Sequence, residues 1–295
     1  MAVLNSRPSS SRSAGVVRAP LPVSEQAPSP FLKWAGGKAR LISQFAPHFP
    51  ESFNRYHEPF LGGGAVFFHL QPERSSLSDL NGRLVECYRV IRDTPAALME
   101  KLDEHRRRHN QQYFYEARTR FNQARGMTPV DRAALFIYLN KTCFNGLYRE
   151  NSRGEFNVPV GSYTDPAVYD ESLLMSVSRA LAGVDIHNEG FEGVLSRAER
   201  GDLVYFDPPY VPVSATSSFT SYTGAGFDTS LQERLVQVFD ELSRRGAYVM
   251  LSNSDVPLVR DLYAGWRVVD IRASRSINSR GTGRGDVGEV LVCSW

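Results

Sequence analysis

Gly62-Gly63-Gly64 constrains the fold of this chain more tightly than any other feature of its sequence. The triplet separates residues 56–60, which read as a short strand, from residues 65–70, which read as the start of a helix. Glycines at such a turn let a ligand approach the backbone closely, because no Cβ stands in the way. A second strand ends at Leu77-Ser78-Asp79. The alternation returns late in the sequence: residues 203–206, 248–252, 266–271 and 290–294 carry strand patterns, separated by helical patterns over residues 231–245 and 256–263. Between these blocks the apolar spacing becomes helical. Leu84, Cys87, Tyr88 and Ile91 recur on one face within residues 84–102, and residues 112–123 and 132–141 continue as helices. Residues 145–163, rich in Gly, Asn and Pro, read as a hairpin or extended loop. Strands alternating with helices at both ends of a helical block predict an α/β sheet domain with an inserted helical domain.

The expected boundaries are residues 30–82 and 168–295 for the sheet domain, 83–167 for the insert and 1–29 for a disordered tail. That tail is rich in Ser and Pro, and burying it would not offset its ordering entropy. Val16-Val17-Arg18 interrupts any apolar run that a signal peptide would need. No run of 18 apolar residues spans a membrane, while 42% hydrophobic residues suffice for a core. Cys87, Cys143 and Cys293 are too scattered for a disulfide framework or a zinc site, and read as reduced thiols of a cytoplasmic protein. The formal charge of +2 announces no polyanionic partner, so a nucleic-acid surface would have to be local.

Two further stretches carry chemistry. Asp79 follows Gly64 by 15 residues at the end of the next strand, where an acid can accept both ribose hydroxyl hydrogens of a nucleoside cofactor. A tight turn with a surface carboxylate explains the same residues. Asp207-Pro208-Pro209-Tyr210 follows directly on the apolar strand Leu203-Val204-Tyr205-Phe206. The prolines fix the backbone at the strand's carboxyl end and remove two donors, leaving a corner rich in acceptors. Asp207 and the Pro208 carbonyl can receive the two hydrogens of an exocyclic amine, and Tyr210 offers a π-face to a flat ring.

Phe31-Leu32-Lys33-Trp34-Ala35-Gly36-Gly37-Lys38, then residues 58–64, Asp79 and residues 207–210, in that order, resemble the α-class, Dam-like DNA adenine-N6 methyltransferases. The resemblance spans residues 31–295. It implies a Rossmann-like, S-adenosylmethionine-dependent methyltransferase sheet with an inserted, mainly helical DNA-recognition domain containing a β-hairpin. It further implies S-adenosyl-L-methionine as cofactor, no metal, double-stranded DNA as partner and a monomer, with a cognate restriction endonuclease only by genetic association. Carried over by position, Trp34, Gly36 and Lys38 lie at the cofactor's methionine end; Glu58, Phe60 and Gly62 form the glycine-rich cofactor loop; Asp79 is the ribose acid; Asp207, Pro208 and Tyr210 form the catalytic loop, with Asp207 also facing the cofactor. Family members often place Asp before the Phe that packs near the cofactor adenine. Here the run is Glu189-Gly190-Phe191, so Phe191 fits and Glu189 is the candidate replacement.

Residues 142–163 present Phe144, Leu147 and Arg149 on a Gly/Asn-rich stretch. Arg can grip guanine bidentately, Leu can meet a thymine methyl, and an aromatic can wedge into a base step, although the residues alone favour a surface hairpin whose apolar groups pack on the helices. The stretch is similar to the recognition hairpin of enzymes that methylate adenine in GATC, which implies DNA contacts for Phe144, Asn145, Leu147, Arg149, Asn151, Asn157 and Pro159, and an outer-guanine contact for Lys33. Residues 105–126 hold six Arg against Glu116, either a phosphate-positioning surface or a solvated face. His105 and His109 lack a third metal ligand. Phe219 and Tyr222 are expected on a loop that closes over the base. The expected reaction is methyl transfer to N6 of a flipped-out adenine. A methyltransferase for cytosine N4, RNA or a protein amide would use a similar corner, with Ser or Asn more often in first position. A silent DNA-binding relative is the alternative of a different class.

Overall fold

A computed structural model of the chain describes residues 26–211, 227–274 and 286–295. Residues 1–25 of the expected tail, and both Phe219 and Tyr222, lie outside them. Strands β1 (Tyr56–Glu58), β2 (Ser75–Asp79), β3 (Asp185–Asn188), β4 (Leu203–Phe206), β5 (Tyr248–Ser254), β6 (Arg267–Ser274) and β7 (Asp286–Cys293) form one sheet in the order β3-β2-β1-β4-β5-β7-β6. Pairing is parallel except at β7, which runs antiparallel to both β5 and β6. This is the expected α/β, Rossmann-like, doubly wound sheet. Successive strands step from β1 outward through β2 and β3, then from β4 outward through β5. The order therefore reverses between β1 and β4, which are registered Tyr56 to Leu203 and His57 to Val204. A crevice opens at the carboxyl ends of strands at such a reversal, so the loops after β1 and β4 share it.

Burial explains why β4 reads as an unbroken apolar run. Leu203 and Tyr205 face one core with Leu77, Leu84 and Tyr88. Val204 and Phe206 face a second core with Phe239, Val249, Leu251 and Val292. A strand covered on both faces needs no polar alternation. β1 is buried too, yet carries His57 and Glu58. Each has a partner: His57 Nε2 lies 2.9 Å from Asp202 Oδ2, and the Tyr56 hydroxyl donates to Glu58 Oε2 at 2.9 Å.

Helices α1 (Ile42–Phe45), α2 (Ala65–Leu70), α8 (Thr229–Arg244) and α9 (Pro257–Leu262) accompany the sheet, with five others between β2 and β3. Those five are α3 (Gly82–Asp93), α4 (Pro95–Arg107), α5 (Gln111–Gln123), α6 (Pro129–Thr142) and α7 (Glu171–Leu181). Asn81 caps α3 by accepting from the Arg83 and Leu84 N–H groups. The helical spacing over residues 84–102 is interrupted at Thr94, because Pro95 lacks an N–H and disfavours helical geometry in the residue before it. Pro95 is then well placed as the first residue of α4. Leu98, Leu102, Phe114, Phe136 and Tyr138 from this connection belong to the same apolar cluster as Leu77 of the sheet. Among the described residues no helix is long and apolar enough to cross a membrane.

Candidate active site

The turn after β1 needs glycine for a stated reason. Gly62 and Gly64 adopt φ of +47° and +67°, where a side chain is strained. A Cβ on Gly62 would also stand 3.1 Å from Cδ1 of Trp34, so the turn and the segment containing Trp34 are pressed together. Trp34 itself stacks on Tyr148 at 5.3 Å. Asp79, at the end of β2, holds the turn: Oδ2 accepts from the Gly62 N–H at 3.0 Å and Oδ1 from the Asn81 N–H at 2.9 Å. The Tyr88 hydroxyl donates to the Gly62 carbonyl at 3.1 Å. Phe60 stacks on Phe191 at 5.5 Å, and Phe227 packs against both rings. Glu189 pairs with Arg197 and packs over Gly193, so its carboxylate is engaged within the protein.

The loop after β4 is anchored at successive positions. Asp207 Oδ1 lies 2.8 Å from Lys38 Nζ and accepts from Ser252 Oγ at 3.0 Å. Lys38, 4% exposed, also sits over the Tyr210 ring at 4.6 Å. The Pro209 carbonyl accepts from Gln232 Nε2 at 3.4 Å. The Tyr210 hydroxyl donates to Glu289 Oε2 at 2.7 Å. Val211 is held twice, its N–H by Asn253 Oδ1 at 3.3 Å and its carbonyl by Ser254 Oγ at 2.7 Å.

Charge in the crevice is dominated by carboxyls. Burial, then proximity to Asp207 and Asp79, pushes the Glu58 carboxyl well above the usual glutamate range. Burial raises Asp79 and Asp207 as well, in Asp207 against the pull of Lys38. Glu58 therefore keeps its proton in the folded protein at pH values where the unfolded chain, near about 4.3, has lost it. Its contribution to stability is complete below that value and declines as pH rises through the folded value. Glu58→Gln, which keeps an acceptor for Tyr56 without a charge, should flatten this decline. The difference in melting temperature between pH 5 and pH 8 should shrink in the variant; an unchanged difference would show that Glu58 is ionised in the fold.

The profile of the D12 class N6 adenine-specific DNA methyltransferases matches residues 34–277. The chain belongs to that class. It is 41% identical over 270 residues to the type II methyltransferase M1.LlaDCHI of Lactococcus lactis subsp. cremoris, covering 90% of this chain and 95% of that protein. It is 41% identical over 288 residues to the type II methyltransferase M.MjaIII of Methanocaldococcus jannaschii, covering 90% and 99%. It is 35% identical over 268 residues to a DNA adenine methylase of Vibrio cholerae, covering 89% and 94%.

Enzymes of this class use S-adenosylmethionine. The crevice of this methyltransferase fits it. The glycine turn leaves its backbone bare beside Asp79, an acid at the end of β2 that can accept ribose hydroxyl hydrogens.

The methyltransferase brings Lys33 to the 142–163 stretch although 100 residues and more separate them in sequence. Buried Asn140 accepts from the Lys33 N–H at 2.9 Å and donates to the carbonyls of Lys33 at 2.8 Å and Gly146 at 3.2 Å. Gly146, at φ +65°, admits the Lys33 stem where a Cβ would collide with it. Lys33 Nζ donates to the Tyr163 hydroxyl at 2.9 Å. The stretch itself is antiparallel but scarcely laddered. It pairs at Cys143 with Val160 and at Glu150 with Phe156, around a 3-10 turn over Phe144–Gly146 with Asn145 at φ +54°. Pro159 accepts from the Phe144 N–H at 2.9 Å. Phe144 is 50% and Leu147 36% exposed. Arg149 Nε donates to Asn157 Oδ1 at 2.8 Å, which fixes the guanidinium plane. Asn151 is occupied by its own turn, accepting from the N–H groups of Arg153 and Glu155 and donating to Glu155 Oε2 at 2.8 Å.

The arginines of the basic run are exposed except for half-buried Arg118, although several of them are engaged within the chain. Arg118 donates to the Val158 carbonyl at 3.2 Å, Arg106 pairs with Asp103, and Arg108 covers the Tyr113 ring. His105 and His109 bond the hydroxyls of Tyr113 and Tyr138. Sequence reasoning did not find Ser252, Asn253, Gln232 or Glu289. A polar Ser-Asn-Ser run ending an apolar strand was the one available signal.

Proposed function

We propose that this methyltransferase transfers a methyl group from S-adenosylmethionine to N6 of an adenine flipped out of duplex DNA, within GATC. The observation that carries the reading is the Lys38–Asp207 ion pair at the reversal of the sheet, which joins the Phe31–Lys38 motif to the loop after β4. When bound, S-adenosylmethionine supplies an electrophilic methyl and its own leaving group. The rest falls to the chain. The N6 lone pair is delocalised into the ring, so the amine is a poor nucleophile. Hydrogen bonds from its two hydrogens to Asp207 and the Pro208 carbonyl favour a lone pair directed at the methyl and stabilise the positive charge growing on nitrogen. Tyr210 supports the flipped ring and the anchored loop supplies in-line geometry. Trp34, Gly36, Lys38, Glu58, Phe60, Gly62, Asp79 and Phe191 form the cofactor side.

Residues 83–167 serve as the target-recognition unit, and 30–82 with 168–295 as the catalytic one. Lys33, Phe144, Asn145, Leu147, Arg149, Asn151, Asn157 and Pro159 form the DNA side. The methyltransferase acts as a cytoplasmic monomer, with any restriction endonuclease linked to it by genetics alone. The test is DNA from cells expressing this chain, digested with endonucleases that distinguish methylated from unmethylated GATC and hydrolysed for nucleoside mass spectrometry. Protected GATC with N6-methyladenine is expected. N4-methylcytosine, or N6-methyladenine with GATC unprotected, overturns the substrate or the site.

Asp79→Ala should weaken S-adenosylmethionine binding by about 10- to 100-fold, the cost of losing hydrogen bonds to a charged acceptor, with DNA affinity near wild type. Isothermal titration with each ligand checks this. Unchanged cofactor affinity would leave Asp79 only its role of holding Gly62.

A further inference from the structure

We infer that Ser252 and Tyr205 are positioning residues for Asp207, fixing which of its oxygens meets the substrate amine. The inference rests on the catalytic reading of Asp207. Ser252, at the fifth position of β5, donates from Oγ to Asp207 Oδ1 at 3.0 Å. Tyr205, on the neighbouring β4, lies with its hydroxyl 2.8 Å from the same Oγ. Both side chains are wholly buried, at 0% exposure. A serine hydroxyl has a single hydrogen. Because Ser252 spends it on the carboxylate, Tyr205 must be the donor to Ser252, and the chain of donors runs in one direction: Tyr205 to Ser252 to Asp207. Lys38 Nζ meets the same oxygen, Oδ1, from the opposite segment. Among the described residues both grips fall on Oδ1, so Oδ2 is the oxygen left to accept the amine hydrogen.

This arrangement does two things. It fixes the carboxylate plane, since rotation about the Cβ–Cγ bond would break both grips together. It also favours the ionised carboxylate, because a donor to the charged form lowers a pKa that burial raises. The anion, not the acid, accepts the amine hydrogen. Parallel anchors at Val211, from Asn253 and Ser254, extend the hold along the loop.

Ser252→Ala and Tyr205→Phe each delete one hydroxyl from the chain without adding volume. Single-turnover methyl transfer is measured from acid to alkaline pH, beside cofactor and DNA affinities by titration. In Ser252→Ala the plateau rate should fall about tenfold or more, the scale of a hydrogen bond to a charged group, and the acid limb should move to higher pH. Tyr205→Phe should move the limb in the same direction by less. Both affinities should stay within about twofold of wild type, which a disturbed sheet would not allow. An acid limb and plateau unmoved in both variants overturn the inference. A plateau lowered with the limb unmoved overturns it too, since packing alone would do that. If Asp207→Asn itself retains its rate, the catalytic reading has failed instead, so the two failures are separable.

Discussion

Asp207→Asn should lower the single-turnover rate of methyl transfer by about 30- to 1,000-fold while leaving S-adenosylmethionine affinity near wild type. The range corresponds to about 2–4 kcal/mol of barrier, the scale of removing one preorganised charged or hydrogen-bonding group from a developing charge. The asparagine has the same shape, so packing is conserved and Lys38 keeps an oxygen to bond. What goes is the negative charge that stabilises the nitrogen as it becomes cationic, and such a loss appears in the rate rather than in ground-state binding. One complication is structural. Lys38 is buried, and removing the anion opposite it leaves an ammonium with hydrogen bonds but no counter-charge, a change that costs about 3–5 kcal/mol of stability in typical buried pairs. Lys38→Met added to Asp207→Asn should restore the melting temperature without restoring turnover. A double variant that regained activity would show that the pair matters for folding alone, and near-normal turnover in Asp207→Asn would remove Asp207 from the chemistry.

The second large effect is expected in specificity. Arg149→Ala should cost about 1–3 kcal/mol in kcat/KM at one base position and leave the others nearly untouched. The structural reason is the bond from Arg149 Nε to Asn157, which holds one edge of this exposed guanidinium and leaves its two terminal nitrogens as the fork for guanine O6 and N7. Asn157→Ala, which frees the fork without removing it, should weaken discrimination at the same position by a smaller factor. A phosphate contact would behave differently: all sequences would weaken alike and the salt slope would drop by about one. The measurement is kcat/KM on GATC and its single-base variants at two salt concentrations. Uniform loss refutes base reading by Arg149, and a wild-type enzyme indifferent to GATC refutes the proposed recognition site.

Strand ends were legible because parallel strands buried on both faces are short apolar runs that stop at polar or glycine-rich turns. That pattern located β4, hence Asp207, whereas β1 (Tyr-His-Glu) and β2 (Ser-Ser-Leu-Ser-Asp) were located by the glycine-rich turn after the first and the acid ending the second, hence Gly62 and Asp79. β3 was not legible: Asp-Ile-His-Asn at the sheet edge has half its residues in solvent and little apolar signal. α7 went unread although Leu174, Val177 and Leu181 stand at helical spacing after the capping Asp170. Pro95 divided a stretch whose apolar spacing ran on without a break. In the site, residue types revealed which groups bear chemistry and not which groups hold them. Lys38 reads by position as a cofactor-side residue, and its ion pair with Asp207 depends on a chain reversal 169 residues later that no local pattern encodes. Glu189 reads as the candidate replacement for the acid near the cofactor adenine until Arg197 is seen against it. Ser252 and Gln232 are silent for the same reason, since a buried donor is defined by what the fold sets opposite it.

Asn140 has a consequence for how new specificities arise in such enzymes. One buried amide clasps the backbone of residue 33 and the turn at Gly146, and five residues beyond residue 33 lies the lysine that grips Asp207. The surface proposed to read DNA is thus not a detachable cassette. Grafting residues 142–163 from a relative of different specificity would carry over the fork and the wedge, but the graft would seat only if its turn offered a carbonyl to Asn140 and a glycine at position 146 for the Lys33 stem. Drift toward a new target sequence would then proceed by side-chain exchange on a retained scaffold, and relatives with different targets should still share the amide at position 140 and a glycine at position 146.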